Sequence, residues 1–182
     1  MNFFWSSLVG CVPADLEGSI APMPIESFTG DRKLLSPLFA LGDDSPKEIA
    51  SYISRGEILV ARDGDPITGH LQILETDSAG VFELKSMAVN EAHQGRGIGR
   101  SLVEAAVVRC RVRGGHRLIV STATADIANL RFYQRLGFRM YRIVRDAFSP
   151  LRGYKEAMLI DGIPLRDKVF LERDLSPRQQ AT

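Results

Sequence analysis

The stretch Gln94-Gly95-Arg96-Gly97-Ile98-Gly99 constrains this chain more than any other. It joins a strand-like run, Val81 to Val89, to an amphipathic helical run from about Ile98 to Arg113. Three glycines within five positions leave the backbone almost bare of Cβ atoms, so several amides can turn toward one point and a bulky anion can approach them. The following helix adds its unpaired N-terminal N–H groups and the positive end of its dipole. Together these make a seat for a phosphate or pyrophosphate, with Arg96 and Arg100 placed to add charge-assisted hydrogen bonds. The bland alternative is an ordinary helix-entry turn, since glycine marks many turns that hold nothing.

Two common phosphate motifs fail against these residues. A P-loop needs Lys and then Ser or Thr after its second glycine, and no such run occurs. A dinucleotide fingerprint needs a third glycine where Arg100 stands, and an acidic residue about 20 positions further on, where His116 and Arg117 stand. The spacing that fits is Gln-x-x-Gly-x-Gly, which resembles the acetyl-CoA pyrophosphate loop of the GNAT superfamily of N-acetyltransferases. Downstream, Asn129-Leu130-Arg131-Phe132-Tyr133-Gln134-Arg135-Leu136-Gly137-Phe138 resembles the second signature of that family, an Asn followed by FY-x-x-x-GF. The resemblance spans Glu57 to Arg145 and is poor at both ends.

The resemblance implies a single-domain α/β (α+β) fold: a central mixed, mostly antiparallel sheet with one parallel, splayed pair of strands, flanked by helices. It implies acetyl-CoA as co-substrate, its pantetheine arm inserted between the strand ending at Val89 and the strand starting near Arg117. On this reading Met87, Ala88 and Val89 meet the arm. Gln94, Gly95, Arg96, Gly97, Ile98, Gly99, Arg100 and Ser101 surround the diphosphate, and Asn129 hydrogen-bonds the arm from the opposite side. A plain helix-start role for Asn129 stands beside that one.

With 182 residues, 45% of them hydrophobic, the chain suits one domain with one core. We expect a weakly structured N-terminal extension over 1–24, the acetyltransferase domain over 25–175, and a tail over 176–182. The net charge is +1, so nothing supports a nucleic-acid partner, and a homodimer is compatible with the sequence. Two cysteines, Cys11 and Cys110, fit a reducing cytoplasm. No run approaches the length of about 18 apolar residues that a membrane span needs. Phe3 to Cys11 ends in Leu8-Val9-Gly10-Cys11, which resembles a lipoprotein cleavage box, but no Lys or Arg precedes it; a loosely held extension is the expectation. His70, His93 and His116 have no metal-ligand spacing, and no metal is expected.

Along the chain, Asp31 to Leu41 reads as a helix interrupted near Pro37, and Ser45 caps a helix that Pro46 begins. Glu57 to Arg62 and Pro66 to Leu74 read as strands about an Asp63-Gly64-Asp65 turn. Strict alternation in the next strand assigns Phe82, Leu84, Ser86 and Ala88 to one face, and Val81, Glu83, Lys85, Met87 and Val89 to the other. Arg109, Arg111 and Arg113 read as a solvated helix end rather than an RNA patch. A strand from Arg117, a helix over Asp126 to Leu136, and strands over Phe138 to Arg145 and Lys168 to Arg173 complete the pattern. Asp161-Gly162 marks a turn.

Moving acetyl from a thioester to an amine requires a neutral amine, a polarised carbonyl and a proton for the departing thiolate. Glu83 matches a common family glutamate and is the candidate base; an ion pair with Lys85 or an arginine is its structural alternative. Tyr133 matches the tyrosine that faces the sulfur and donates the proton, with a core aromatic as its alternative. The backbone N–H of Met87 or Val89 is placed to polarise the carbonyl. No Gly-x-Ser-x-Gly or Cys/His arrangement supports an acyl-enzyme, so direct attack in a ternary complex follows. The acceptor expected is the primary amine of a small molecule. A protein lysine or N-terminus is the alternative, and a non-catalytic acyl-CoA-binding module a further one. Asp146, Tyr154 and the Asp161-Gly162 turn are the candidates to border the acceptor pocket.

Overall fold

The computed structural model describes residues 24–62 and 64–176. Cys11 and its apolar run, Asp63 of the first turn, and the tail beyond Ser176 lie outside the described residues. In chain order the elements are β1 (Ile25–Ser27), α1 (Ser36–Gly42), α2 (Pro46–Tyr52), β2 (Glu57–Arg62), β3 (Ile67–Glu75), β4 (Val81–Val89) and α3 (Ile98–Val112). Then come β5 (Arg117–Ala123), α4 (Ile127–Arg135), β6 (Arg139–Val144), a small hairpin of β7 (Leu159–Ile160) and β8 (Ile163–Pro164), and β9 (Lys168–Asp174). Seven strands form one sheet in the order β1-β2-β3-β4-β5-β9-β6. Every neighbouring pair in it is antiparallel except β4 and β5.

Period-two patterning divides the sheet between two cores. In β2, Leu59 and Ala61 join the cluster under α3, while Ile58 and Val60 join the cluster under α1 and α2. The α3 stripe Ile98, Leu102, Val103, Ala106, Val107 and Cys110 is fully covered. At its far end the arginines are not simply solvated. Arg109 pairs with Glu57 at 3.4 Å, Arg113 pairs with Glu57 and Glu75, and Arg111 Nε donates to the Leu175 carbonyl at 3.0 Å. They fasten the helix end to the sheet.

Pro37 does not interrupt a helix. A 3₁₀ turn over Arg32–Leu35 precedes it, and Pro37 lies in the first turn of α1, where its missing N–H costs nothing. Ser45 caps α2 as its sequence indicates, accepting from Glu48 N at 3.2 Å. Asp161 and Gly162, both at positive φ, make the β7–β8 turn. At the sheet's outer edge β6 exposes Met140, Tyr141 and Ile143.

The alternation expected for β4 fails at one residue. Gln72 faces Ser86 and Ile73 faces Leu84, so Lys85 is a bulge with no partner on β3. The extra residue reverses the parity of everything after it. Phe82, Leu84, Met87 and Val89 therefore all enter the core beneath α3. Ser86 turns to the opposite face, where its Oγ meets His70 Nε2 at 3.0 Å. Glu83 and Lys85, the charges in mid-sheet, pair with each other at 3.8 Å, and the Lys85 ammonium lies 5.0 Å from the centre of the Tyr52 ring.

Candidate active site

Parallel pairing of β4 with β5 stops at Leu84 and Val120. Beyond that point β4 pairs only with β3, and β5 only with β9. The strands part at the bulge, and a cleft opens between their C-terminal halves. One wall is Leu84 to Val89; the other is Val120, Ser121, Thr122, Asn129 and Tyr133; Leu41 and Gly42 of α1 border it.

The β4 wall offers backbone. Asn90 N–H donates to the Thr68 carbonyl at 2.7 Å, which fixes the antiparallel alternation: Ala88 faces β3, and Met87 and Val89 turn their N–H and C=O groups toward the gap. Gln94 Nε2 takes the Val89 carbonyl at 3.0 Å, tying the glycine turn to the strand end. The N–H groups of Met87 and Val89 and the Met87 carbonyl remain turned to the cleft. Gly42 covers that carbonyl closely, for a Cβ there would sit 3.3 Å from Met87 O and 3.2 Å from Ser86 Oγ.

The glycine turn enters α3 through Gly97, which caps the helix at φ 79 without any side-chain hydrogen bond to the first turn. Those first-turn N–H groups are orphan donors at the positive end of a 15-residue helix. Ser101 Oγ bonds back to the Gly97 carbonyl at 3.3 Å. Arg100 is drawn to Glu104 at 2.8 Å, while Arg96 lies exposed in the turn itself. Gly99 has a packing reason as well: a Cβ there would touch the Phe132 ring at 3.4 Å.

The opposite wall offers side chains. Asp126 caps α4 by accepting from Asn129 N at 2.8 Å, and its second oxygen accepts from Asn129 Nδ2 at 2.6 Å. That clamp fixes the amide and leaves Asn129 Oδ1 buried with no hydrogen-bond partner among the described residues. Thr122 Oγ1 is stranded in the same way. An unmatched buried polar atom costs about 1–3 kcal/mol, so two of them in one cleft point to ligand groups that complete them. Val120, Ser121 and Thr122 are the residues of this wall that motif reading misses. Tyr133, one helical turn beyond Asn129, is buried between Phe132 and Phe138, whose ring centres lie 5.1 and 5.6 Å away. Burial, with the charge of Asp126 adding to it, raises the Tyr133 phenol well above its ordinary pKa of 10, so it stays protonated. Glu83 is not among the cleft-lining residues.

A polar corner adjoins the cleft where α1 gives way to α2. Asp43 Oδ1 accepts from Ser45 N at 3.0 Å and Tyr154 Oη at 3.1 Å, and its Oδ2 accepts from Tyr52 Oη at 3.3 Å. Ser45 Oγ donates to the Arg152 carbonyl at 2.7 Å, which pins the 150–154 segment over α2. Tyr154 meets Phe148 edge-on at 5.0 Å, and Lys168 Nζ lies 5.2 Å from the Phe148 ring centre. Tyr154 is not itself a lining residue of the cleft and is held in this corner by Asp43, while Asp146 is engaged with Arg166 at 3.2 Å. Among the described residues no cluster of three or more metal-binding side chains occurs, and no helix is long and apolar enough to cross a membrane.

The Acetyltransferase (GNAT) family profile matches residues 31–138. Over 141 residues the chain is 36% identical to the uncharacterized N-acetyltransferase YvbK of Bacillus subtilis (strain 168), covering 78% of this chain and 89% of that protein. Over 102 residues it is 28% identical to the L-methionine sulfoximine/L-methionine sulfone acetyltransferase of Salmonella typhimurium, covering 52% of this chain and 60% of that protein. Among solved structures, a Bacillus subtilis acetyltransferase in complex with CoA superimposes with a TM-score of 0.77 at 33% identity, covering 85% of this chain and 99% of that one.

Proposed function

The chain belongs to the GNAT acetyltransferase family, and on that premise we propose that it moves the acetyl group of acetyl-CoA to the primary amine of a small molecule. The observation that carries the reading is the parted strand pair. Past Leu84 and Val120 one wall turns backbone groups inward, and the other presents Asn129 Oδ1 and Thr122 Oγ1 without partners among the described residues. A pantetheine arm, an extended chain with two amides, suits such walls, and the orphan N–H groups of α3 with the turn over 94–101 suit its diphosphate.

The residues divide the labour as follows. The N–H of Met87 or Val89 polarises the thioester carbonyl, Tyr133 gives its proton to the departing thiolate, and the amine attacks directly without an acyl-enzyme. Glu83, one ion pair away from the cleft-lining Lys85, takes the amine proton through water. A small acceptor is favoured over a protein one because the 150–154 segment is fastened across α2, so that Tyr52, Tyr154 and Phe148 crowd the corner beside the cleft. The test is thiol release from acetyl-CoA with a panel of small amines and of peptides. Turnover on small amines is expected; turnover on peptides alone, or CoA binding with no turnover on any amine, would overthrow the reading.

A further inference from the structure

Around the polar corner most cations are already matched. Lys85 pairs with Glu83, Arg152 approaches Glu48 at 3.9 Å, and Lys47 Nζ donates to the Leu151 carbonyl at 2.9 Å. Lys168 differs. It sits at the start of β9, paired in register with Ala123 at the C-terminal end of β5, and its ammonium rests only against the Phe148 ring. No hydrogen bond or ion pair among the described residues uses it.

Asp43 is its counterpart. Three donors hold that carboxylate still, yet a carboxylate has about four lone-pair sites, so at least one stays open. The edge-to-face pair Tyr154–Phe148 links Asp43 and Lys168: Tyr154 Oη donates to Asp43, and Phe148 underlies Lys168, whose ammonium feels the like charge of Lys85 and, in the opposite sense, the Asp43 carboxylate. A fixed carboxylate and a fixed ammonium at the two ends of an aromatic partition make a dipole. A ligand of opposite polarity completes both ends at once.

Resting on the small-amine reading above, we propose that the acceptor is zwitterionic, an amine with an anionic group close to its nitrogen, as in an α-amino acid. Asp43 receives the ammonium and Lys168 the anion. Asp43 adjoins Gly42, which packs on the Met87 carbonyl, so an ammonium held there enters beside the β4 backbone that faces the thioester. Burial disfavours the charged form of both groups, raising the Asp43 carboxyl and lowering the Lys168 ammonium, which is the condition under which a bound counter-charge counts most.

The test compares each of several α-amino acids with its decarboxylated amine and its methyl ester by CoA release. The wild-type protein is expected to favour the amino acid in kcat/KM by about tenfold or more, the scale of one charge-assisted hydrogen bond. Lys168→Met is expected to collapse that ratio toward one, and Lys168→Arg to restore most of it, which a merely structural lysine would not do. Asp43→Asn is expected to lower kcat/KM for amino acid and amine alike, with thermal melting to confirm that the variant is folded. Equal wild-type rates on acid, amine and ester would overturn the proposal, as would a Lys168→Met loss of equal size on all three. Either result leaves the small-amine reading standing, whereas turnover on peptides alone removes both.

Discussion

Replacing Gly97 with alanine separates the ligand's demand on the glycine turn from the backbone's. Gly97 sits at φ +79, and a Cβ built there meets no atom of the described residues within 4 Å. Gly97→Ala therefore costs the left-handed penalty of about 1–2 kcal/mol and no packing. Gly114 provides the control, because it has φ +76, equally empty surroundings, and a place just past the other end of α3. That end lies about 22 Å away at 1.5 Å per residue. Both variants should lose similar stability, a melting temperature lower by roughly 2–4 °C for each kcal/mol. Only Gly97→Ala should lose affinity for acetyl-CoA, because its methyl group projects into the space where phosphate oxygens approach the amides. Displacing one hydrogen bond to a charged group is worth about 1.5–3 kcal/mol, roughly 10- to 150-fold in Kd. Gly97→Glu, which adds like charge, should abolish binding. Titration calorimetry reads the difference. If Gly97→Ala binds acetyl-CoA as tightly as Gly114→Ala, the diphosphate does not lie on this turn.

Three further outcomes follow from the walls and the core. Tyr133→Phe should lower kcat by about 10²-fold while the Kd for acetyl-CoA holds, and an unchanged kcat removes the phenol from proton donation. Thr122→Val deletes a stranded hydroxyl, so the ligand-free protein should melt at the same temperature or higher by up to about 1 kcal/mol of stability, while acetyl-CoA binds more weakly; undiminished affinity shows that the hydroxyl does not serve the arm. His70 is held neutral by burial, its pKa lowered from 6.5 to about 3. Between those values the unfolded chain takes up a proton that the folded one refuses. The stability this residue contributes is therefore complete above pH 6.5 and drains as pH falls toward 3, by up to about 1.4 kcal/mol per pH unit. Denaturant midpoints from pH 7 to 4 should fall less steeply in His70→Gln, and parallel slopes would show that another group carries the acid sensitivity.

The glycine turn, the Asn129 to Phe138 stretch and the Ser45-Pro46 helix start were legible because each is a local matter of φ angles, caps and periodicity. The polar corner was not, because its defining bond joins Tyr154 to Asp43 across 111 positions and only the folded chain brings them together. Thr122 reads as one more β-branched residue of a strand, and nothing local to it says that its hydroxyl will be buried without a partner among the described residues. Glu83 and Lys85 announce a problem in the sequence, two charges in mid-sheet, but not its resolution as a pair with each other.

The bulge was invisible for a different reason: it is a property of two strands, and nothing in β4 alone says that Gln72 and Ile73 will skip a residue. Its consequences can be isolated by deleting Lys85. Ser86 would then follow Leu84 directly, opposite the partners they already have, and regular alternation would send Leu84, Met87 and Val89 to α3 just as the bulge now does. The core is thus preserved, and the losses are an ion pair and a cation–π contact, each worth about 1 kcal/mol or less at partly exposed sites. What goes is the local bend. Without it β4 runs on beside β5 past Leu84 and Val120, and the strands close over the cleft. The deletion variant should fold with near-native stability in denaturant titration and fail to bind acetyl-CoA. A folded variant that still binds would show that the strands part for some reason other than the extra residue.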